Sequence, residues 1–171
     1  MQQQGNESSD PTFGFLTTVD SPTHGVFGGY LVVDAGGRPL EFHCTTPLKV
    51  SRAQQILYGA TLQGHLHGRQ IGAALLAEGG AAPVAVLIDS EAMLHVRSHT
   101  LLPVALVQRL SGEEGSGGFV IGGVTVTPTV TPGEKGDSQS LRRLLEILAG
   151  AVDLCEPFER IRSAIEEAQR H

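Results

Sequence analysis

The run of residues 30–57 constrains the fold more than any other part of the chain. Two segments rich in Val, Leu and Phe, residues 30–34 and 40–45, flank a five-residue connection that holds Gly36 and Gly37. This pattern predicts an antiparallel pair of strands joined by a short turn. Ser51 follows, with Gln54 in the capping-box position, which predicts the start of a helix. The run therefore predicts a hairpin that leads into a crossover helix.

The second half of the chain predicts a parallel part of the same sheet. Residues 83–88 form a continuous apolar run, which is typical of a strand covered on both faces. Residues 90–99 then predict a short helix and residues 103–107 a second buried strand, which together make a minimal crossover unit. One more strand is expected over residues 119–127, followed by a C-terminal pair of helices. The predicted fold class is α/β, a mixed sheet with helices on its faces.

The length of 171 residues fits one domain of ordinary size. We expect a single α/β domain over residues 12–171, preceded by a disordered polar leader, residues 1–11. Residues 111–118 and 127–137 are rich in Gly, Ser, Thr and Pro, so they predict two flexible loops. A glycine count of 22 indicates many turns and close backbone approaches rather than general disorder.

Charge and composition bear on the partners. The net charge is −6, and the 12 Lys and Arg residues form no basic cluster beyond Arg142 and Arg143. On this ground we expect no nucleic-acid partner, and a protein partner or self-association instead. No apolar run approaches 18 residues, so no membrane partner is expected either. The two cysteines are far apart and no signal peptide is visible, which predicts a reducing cytoplasm.

The order of elements over residues 26–108 resembles the deaminase-like α/β layout. That resemblance implies a mixed sheet of the kind described above. The His-x-Glu and Pro-Cys-x-x-Cys zinc signatures of that layout are absent from this chain. The resemblance therefore implies the arrangement of the strands and no activity.

The strand ends carry the main candidate site. Ligands of open α/β sheets bind at the carboxyl ends of the strands, because side chains from several strands meet there. The first helix would add free backbone N–H groups and two basic side chains for an anionic ligand. The alternative is that these residues only end strands and cap helices. The candidate ligand-binding residues are Thr45, Thr46, Lys49, Ser51, Arg52, Asp89, Ser90, Glu91 and, after the next strand, Gln108.

Histidines give a weaker hypothesis, a metal site. His65 and His67 alternate between glycines, and Glu91, His95 and His99 recur every four residues, the spacing used by helical zinc sites. Solvated histidines on loops and helix ends are the alternative for both groups. His43 and Cys44 are neighbours on a strand and point to opposite faces, so they cannot act together as base and nucleophile. Cys44 shares its face with Leu40 and Phe42, and we expect that face to be buried.

Three functions remain open from the sequence. The first is a binding or assembly module that associates through its C-terminal helices or a sheet edge, since no catalytic set is visible. The second is an enzyme or sensor for an anionic small molecule at the strand ends. The third is a metal-dependent hydrolase of deaminase-like layout, which requires three of His43, Cys44, His65, His67, His95 and His99 to converge. The sequence identifies no cofactor.

Overall fold

A computed structural model describes residues 10–110, 118–129 and 138–170. Most of the expected leader, residues 1–9, lies outside the described residues, and so do residues 111–117 and 130–137 of the two expected loops. Residues 127–129, which we assigned to the second loop, belong to a strand. They extend that strand because Val104, Ala105 and Leu106 of a neighbouring strand supply its pairing partners.

Within the described residues, seven strands form one mixed sheet in the order β3-β2-β1-β4-β5-β7-β6. Strands β1, β4 and β5 are parallel, and the remaining neighbours pair antiparallel. This arrangement confirms the predicted α/β class, the hairpin and the parallel crossover. The strands are β1 Phe13–Ser21, β2 Gly25–Val33, β3 Pro39–Cys44, β4 Ala85–Ile88, β5 Val104–Arg109, β6 Phe119–Ile121 and β7 Val124–Thr129.

Helices cover both faces of the sheet. Ser51 caps the first helix with both hydrogen bonds of the predicted capping box. The helical segments are α1 Arg52–Tyr58, a 3₁₀ turn Gly59–Thr61, a π-helix Gly64–Ala73, α2 Ala74–Glu78, a 3₁₀-helix Glu91–His99, α3 Ser138–Ala149 and α4 Glu156–Gln169. In the described residues, no helix is both long and apolar enough to cross a membrane.

Two separate cores result. On one side, which we call the α4 face, Phe15 packs edge-on against Phe158 of α4 with ring centroids 5.1 Å apart. On the other side, which we call the glycine face, Leu16 and Ile88 pack under the π-helix and the 3₁₀-helix. The apolar residues of α3 and α4 that we considered as a partner surface are mostly buried in the first core: Leu145, Leu148, Phe158 and Ile161.

Glycines explain two differences from the sequence interpretation. Residues 23–29 predict a loop, with a short strand as the alternative, and Gly25–Val33 is a strand, so Gly28 and Gly29 lie inside β2. The sequence also predicts that the helix breaks or kinks at Gly59, Gly64 and Gly68. The first helix does end before Gly59, whose φ is 52°, but the chain stays helical from Gly64 to Glu78. At Gly68 an added Cβ would lie 2.9 Å from Cβ of His95, so this glycine brings two helical segments into close contact.

The exposure of β3 also differs from the expectation. The face of Leu40, Phe42 and Cys44 points outward, with Leu40 51% and Phe42 41% exposed and Cys44 exposed. Strand β3 is an edge strand, and α4 packs over β1 and β2 instead. The opposite face of β3 is the one that meets the body of the protein.

Residues 119–127 form two strands rather than one. Strands β6 and β7 are joined by Gly122 and Gly123, and Gly122 has a φ of 61°. A glycine adopts this left-handed conformation without strain, which allows the tight reversal. Strand β6 therefore forms one edge of the sheet and pairs antiparallel with β7.

Candidate functional site

The candidate site lies where the parallel strands β4 and β5 end, beside Thr17 in the middle of β1. Asp89 directly follows β4, and Arg109 is the last residue of β5. Thr17, which belongs to β1, lies beside Asp89. Phe15, Leu87 and Val107, each two residues earlier in its strand, all belong to the core under α4. Because side chains of a strand alternate between faces, Thr17, Asp89 and Arg109 also lie on the α4 face.

Thr17, Asp89 and Arg162 form the inner part of the site. The Thr17 hydroxyl donates to Oδ1 of Asp89 at 2.6 Å, and Nη2 of Arg162 of α4 donates to Oδ2. Thr17 is buried, with 2% of its surface exposed, and the Asp89 side chain is 15% exposed. Both carboxylate oxygens of Asp89 therefore have a donor, as a buried charge requires.

Arg109, Asp153 and Cys155 form the outer part. Nη1 of Arg109 donates to Oδ2 of Asp153 at 2.7 Å, and the backbone N–H of Cys155 donates to Oδ1 at 2.8 Å. The bond from Arg109, helped by that N–H, holds the pKa of Asp153 below its usual value. Burial raises the pKa of the Cys155 thiol, which favours its protonated form.

Between these two groups and α4 lies an open cleft of about 310 Å³. Val107 and Phe158 supply its apolar wall. A volume of this size is at the lower end of the range for small-molecule sites, which combine apolar walls with a few polar groups. The residues that complete the lining are Asp89, Gln108, Arg109, Cys155, Glu159 and Arg162.

Only some of the predicted ligand-binding residues lie at this cleft, because of the order of the strands in the sheet. Asp89 and Gln108 line the cleft, but β2 and β1 lie between β3 and β4. The end of β3 is thus about 14 Å from the end of β4, at the usual strand spacing. The structure does not bring the other candidates into the cleft lining: Thr45, Thr46, Lys49, Ser51, Arg52, Ser90 and Glu91.

Several of those candidates have local structural roles instead. The Thr45 hydroxyl accepts a hydrogen bond from the backbone N–H of Gly28 at 2.9 Å, and Ser51 caps α1. Ser90 and Glu91 begin the 3₁₀-helix on the glycine face. Thr46, Lys49 and Arg52 are exposed. Thr45 and Ser51 thus have the roles of the alternative that we kept open, at a strand end and a helix cap, whereas the side chain of Ser90 forms no cap hydrogen bond.

The histidines do not converge. His43 lies 3.1 Å from Glu41 and 3.8 Å from Glu78. His65 stacks on Tyr58 with ring centroids 4.4 Å apart, and Nδ1 of His67 lies 3.3 Å from the Gln63 carbonyl oxygen.

Burial lowers the pKa of His67. His95 packs against Gly64 and Gly68, and His99 is exposed. In the described part of the chain, no three His, Cys, Asp or Glu side chains are grouped as metal ligands would be.

Sequence reasoning missed Thr17, Arg109, Cys155, Glu159 and Arg162. Thr17 is 72 residues from Asp89, and Arg162 is 73 residues from it. No local motif can reveal pairs at such separations. One signal was available in the sequence. Ile161 is a core position of the last predicted helix, and Arg162 follows it near the middle of that helix.

Comparison with known proteins gives structural neighbours only. No protein-family model matches the chain, and no curated protein matches it. Two solved structures of Marinitoga piezophila Argonaute are similar at 11% identity, one in complex with 5' OH guide RNA and one with guide RNA and target DNA. Each match covers 86% of this chain and 27% of that chain, with TM-scores of 0.43 and 0.42.

These neighbours correct the prediction about partners. We excluded nucleic acid because of the net charge, yet both similar structures contain RNA and one also contains DNA. Net charge describes the chain as a whole, whereas arginines such as Arg109 and Arg162 act locally. We therefore withdraw that exclusion, and with it the preference for a protein partner or self-association. At this TM-score the likeness carries no argument about what the present chain binds.

Proposed function

We propose that this chain is a ligand-binding module whose site is the cleft between the carboxyl ends of β4 and β5 and α4, and whose ligand is a small molecule with an anionic group. The observation that carries the proposal is the cleft of about 310 Å³ lined by Arg109 and Arg162. Arginine is the side chain best suited to carboxylates and phosphates, because its planar N–H donors match their oxygens.

The arrangement of the arginines supports a binding role. Arg162 is fixed by Asp89 and Thr17, so its guanidinium is already oriented before a ligand arrives. Such preorganisation reduces the entropy lost on binding. Arg109 is 58% exposed at its side chain and paired with Asp153, which is 45% exposed. Exposed ion pairs contribute little to stability, so an anion competes with Asp153 at small cost.

The proposal includes a reducing cytoplasm as the setting. Cys44 and Cys155 are both free thiols, one exposed and one partly buried. Structural disulfides are rare in that compartment.

Thermal denaturation with a panel of anions tests the function. The panel contains inorganic phosphate, citrate, mononucleotides, amino acids, and short single-stranded RNA and DNA. A true ligand at a hundred times its Kd raises Tm by about 5–10 °C in a chain of this size. The shift is expected from a small anion. A shift from the oligonucleotides alone, or from none of the compounds, would overturn the proposal.

A matched pair of variants locates the site. Glu159→Trp places a large ring in the lining of the cleft, whereas Glu166→Trp places the same ring on the exposed surface of α4 two turns further along. We expect Glu159→Trp to abolish the shift and Glu166→Trp to preserve it. Equal shifts in both variants would place the ligand elsewhere on the molecule.

A further inference from the structure

The lining of the cleft carries charges of both signs. Arg109 and Arg162 contribute two positive charges, and Asp89 and Glu159 contribute two negative ones. A simple anion would meet the carboxylates as well as the arginines. The balance of charge therefore favours a ligand that carries both signs.

The four charged groups are not equally available. Asp89 and Arg162 bind each other, and their side chains are only 15% and 41% exposed. Arg109 uses Nη1 for Asp153, and its Nε and Nη2 donors bind none of the described residues. Glu159 is exposed, and its carboxylate forms no hydrogen bond or ion pair with any described residue. One guanidinium with open donors and one open carboxylate thus face the same cleft.

Arg109 and Glu159 line the same cleft of about 310 Å³, so one small molecule can contact both. Glu159 contributes, after the larger effects of Asp153 and Cys155, to a raised pKa of Arg109. Both groups also act on Cys155, which lines the cleft with them.

We propose that the ligand is a small zwitterion of the α-amino acid class, whose carboxylate binds Arg109 and whose ammonium group binds Glu159. Val107 and Phe158 provide an apolar wall for the side chain of such a molecule. The inference rests on the proposed function, because it concerns the same cleft. It adds the ammonium group as a requirement and Glu159 as the residue that determines specificity.

Calorimetric titration with matched ligands tests the requirement. Each free L-amino acid is compared with its N-acetyl derivative, which lacks the ammonium group, and with its decarboxylated amine. We expect at least one amino acid to bind, and each derivative of it to bind about tenfold more weakly or worse, because one charge-assisted hydrogen bond between ligand and protein is lost. Equal affinity for the amino acid and its N-acetyl derivative would overturn the inference and leave the anion-binding function standing.

Two variants separate the inference from the proposed function. Glu159→Gln is expected to reduce amino-acid affinity about tenfold and to leave the affinity for N-acetyl derivatives unchanged. Glu166→Gln, on the exposed surface of α4, is expected to change neither affinity. If phosphate or citrate binds and no amino acid does, the zwitterion is wrong and the proposed function survives. If nothing binds, both fail.

Discussion

The two faces of the sheet are packed in different ways. On the α4 face, large side chains of α3 and α4 fill the space above the strands, as the pair Phe15 and Phe158 shows. On the glycine face, the π-helix lies so close to the 3₁₀-helix that a Cβ added at Gly72 would be 2.5 Å from Cγ2 of Val96. The first face is stabilised by buried apolar volume, and the second depends on the absence of side chains at the contact.

Two adjacent glycines of β2 contact the helices on opposite faces of the sheet. Gly28 lies under Ile71 and Leu75, and Gly29 lies under Ile161 and Ile165 of α4. Because neighbouring residues of a strand point to opposite faces, each glycine lets one layer of helices approach the sheet. The comparison therefore predicts that the α4 face is sensitive to loss of volume, and that the contact between the two helical segments of the glycine face is sensitive to its addition.

The largest effect is expected from Ile161→Ala on the α4 face. Ile161 is fully buried and rests on Gly29, so its truncation leaves a cavity. We expect the free energy of unfolding to fall by about 2–5 kcal/mol, measured by urea denaturation. Glu166→Ala on the exposed surface of α4 is the control and should change it by less than about 0.5 kcal/mol. A loss below about 1 kcal/mol for Ile161→Ala would contradict this description of the face.

An intermediate effect is expected from Gly72→Ala on the glycine face. The added methyl group overlaps Val96, which is fully buried, and overpacking of this kind costs about 1–3 kcal/mol. Urea denaturation measures the loss. At Gly123 nothing lies within 4 Å of an added Cβ, so Gly123→Ala is the matched control and should cost little.

A double-mutant cycle tests whether Gly72 and Val96 limit the approach of the two helical segments. Val96→Ala alone removes buried volume and is destabilising. In combination with Gly72→Ala it removes the contact of the new methyl group with Cγ2 of Val96, while the carbonyl oxygen of His67 stays 2.9 Å away, so the double variant should lose less stability than the sum of the two single variants. Simple additivity would show that Gly72 and Val96 do not limit the approach of the two helical segments.

The smallest effect is expected at Glu41, which connects the edge strand β3 to the segment that follows α2 on the glycine face. Its carboxylate accepts the backbone N–H groups of Gly80 at 2.8 Å and Ala81 at 2.7 Å. The bond from Gly80, followed by those from His43 and Ala81, lowers the pKa of Glu41. A lowered pKa in the folded state means that ionised Glu41 stabilises the fold above its ordinary pKa. This contribution is lost as the pH falls through the lower, folded value.

Urea midpoints of the wild type and Glu41→Gln measure this contribution. The difference between the two proteins should be largest near neutral pH and should shrink as the pH is lowered from about 5 to about 3. Glu166→Gln, which is exposed, should show no such trend. A difference that grows toward low pH would give the opposite sign and refute the role of Glu41.

The fold was largely predictable because its main signals are local. The apolar run of residues 83–88 contains the fully buried strand β4, and the spacing of Phe158, Ile161 and Ile165 marks the buried side of α4. The inner face of β3 was assigned wrongly. Alternation shows that Phe42 and His43 point to opposite sides, but it does not show which side a helix will cover.

The candidate site was predictable only in part, for the same reason. Asp89 follows a buried strand, so the strand-end rule identified it from the sequence. Thr45 ends a strand of the same direction, yet two strands separate it from Asp89. Their order is set by long-range pairing, which leaves no mark near either residue.

The sequence by itself determined the elements of this protein: the hairpin, the capped helix, the buried strands and the C-terminal helices. These depend on interactions between residues a few positions apart, such as the capping box of Ser51 and Gln54. Only the tertiary structure decided which strands are neighbours, which face of β3 is covered, and that Thr17, Asp89 and Arg162 meet beside Arg109 and Glu159. The physical reason is that sheet order and helix packing depend on contacts between distant segments, and these form only when the whole chain is folded.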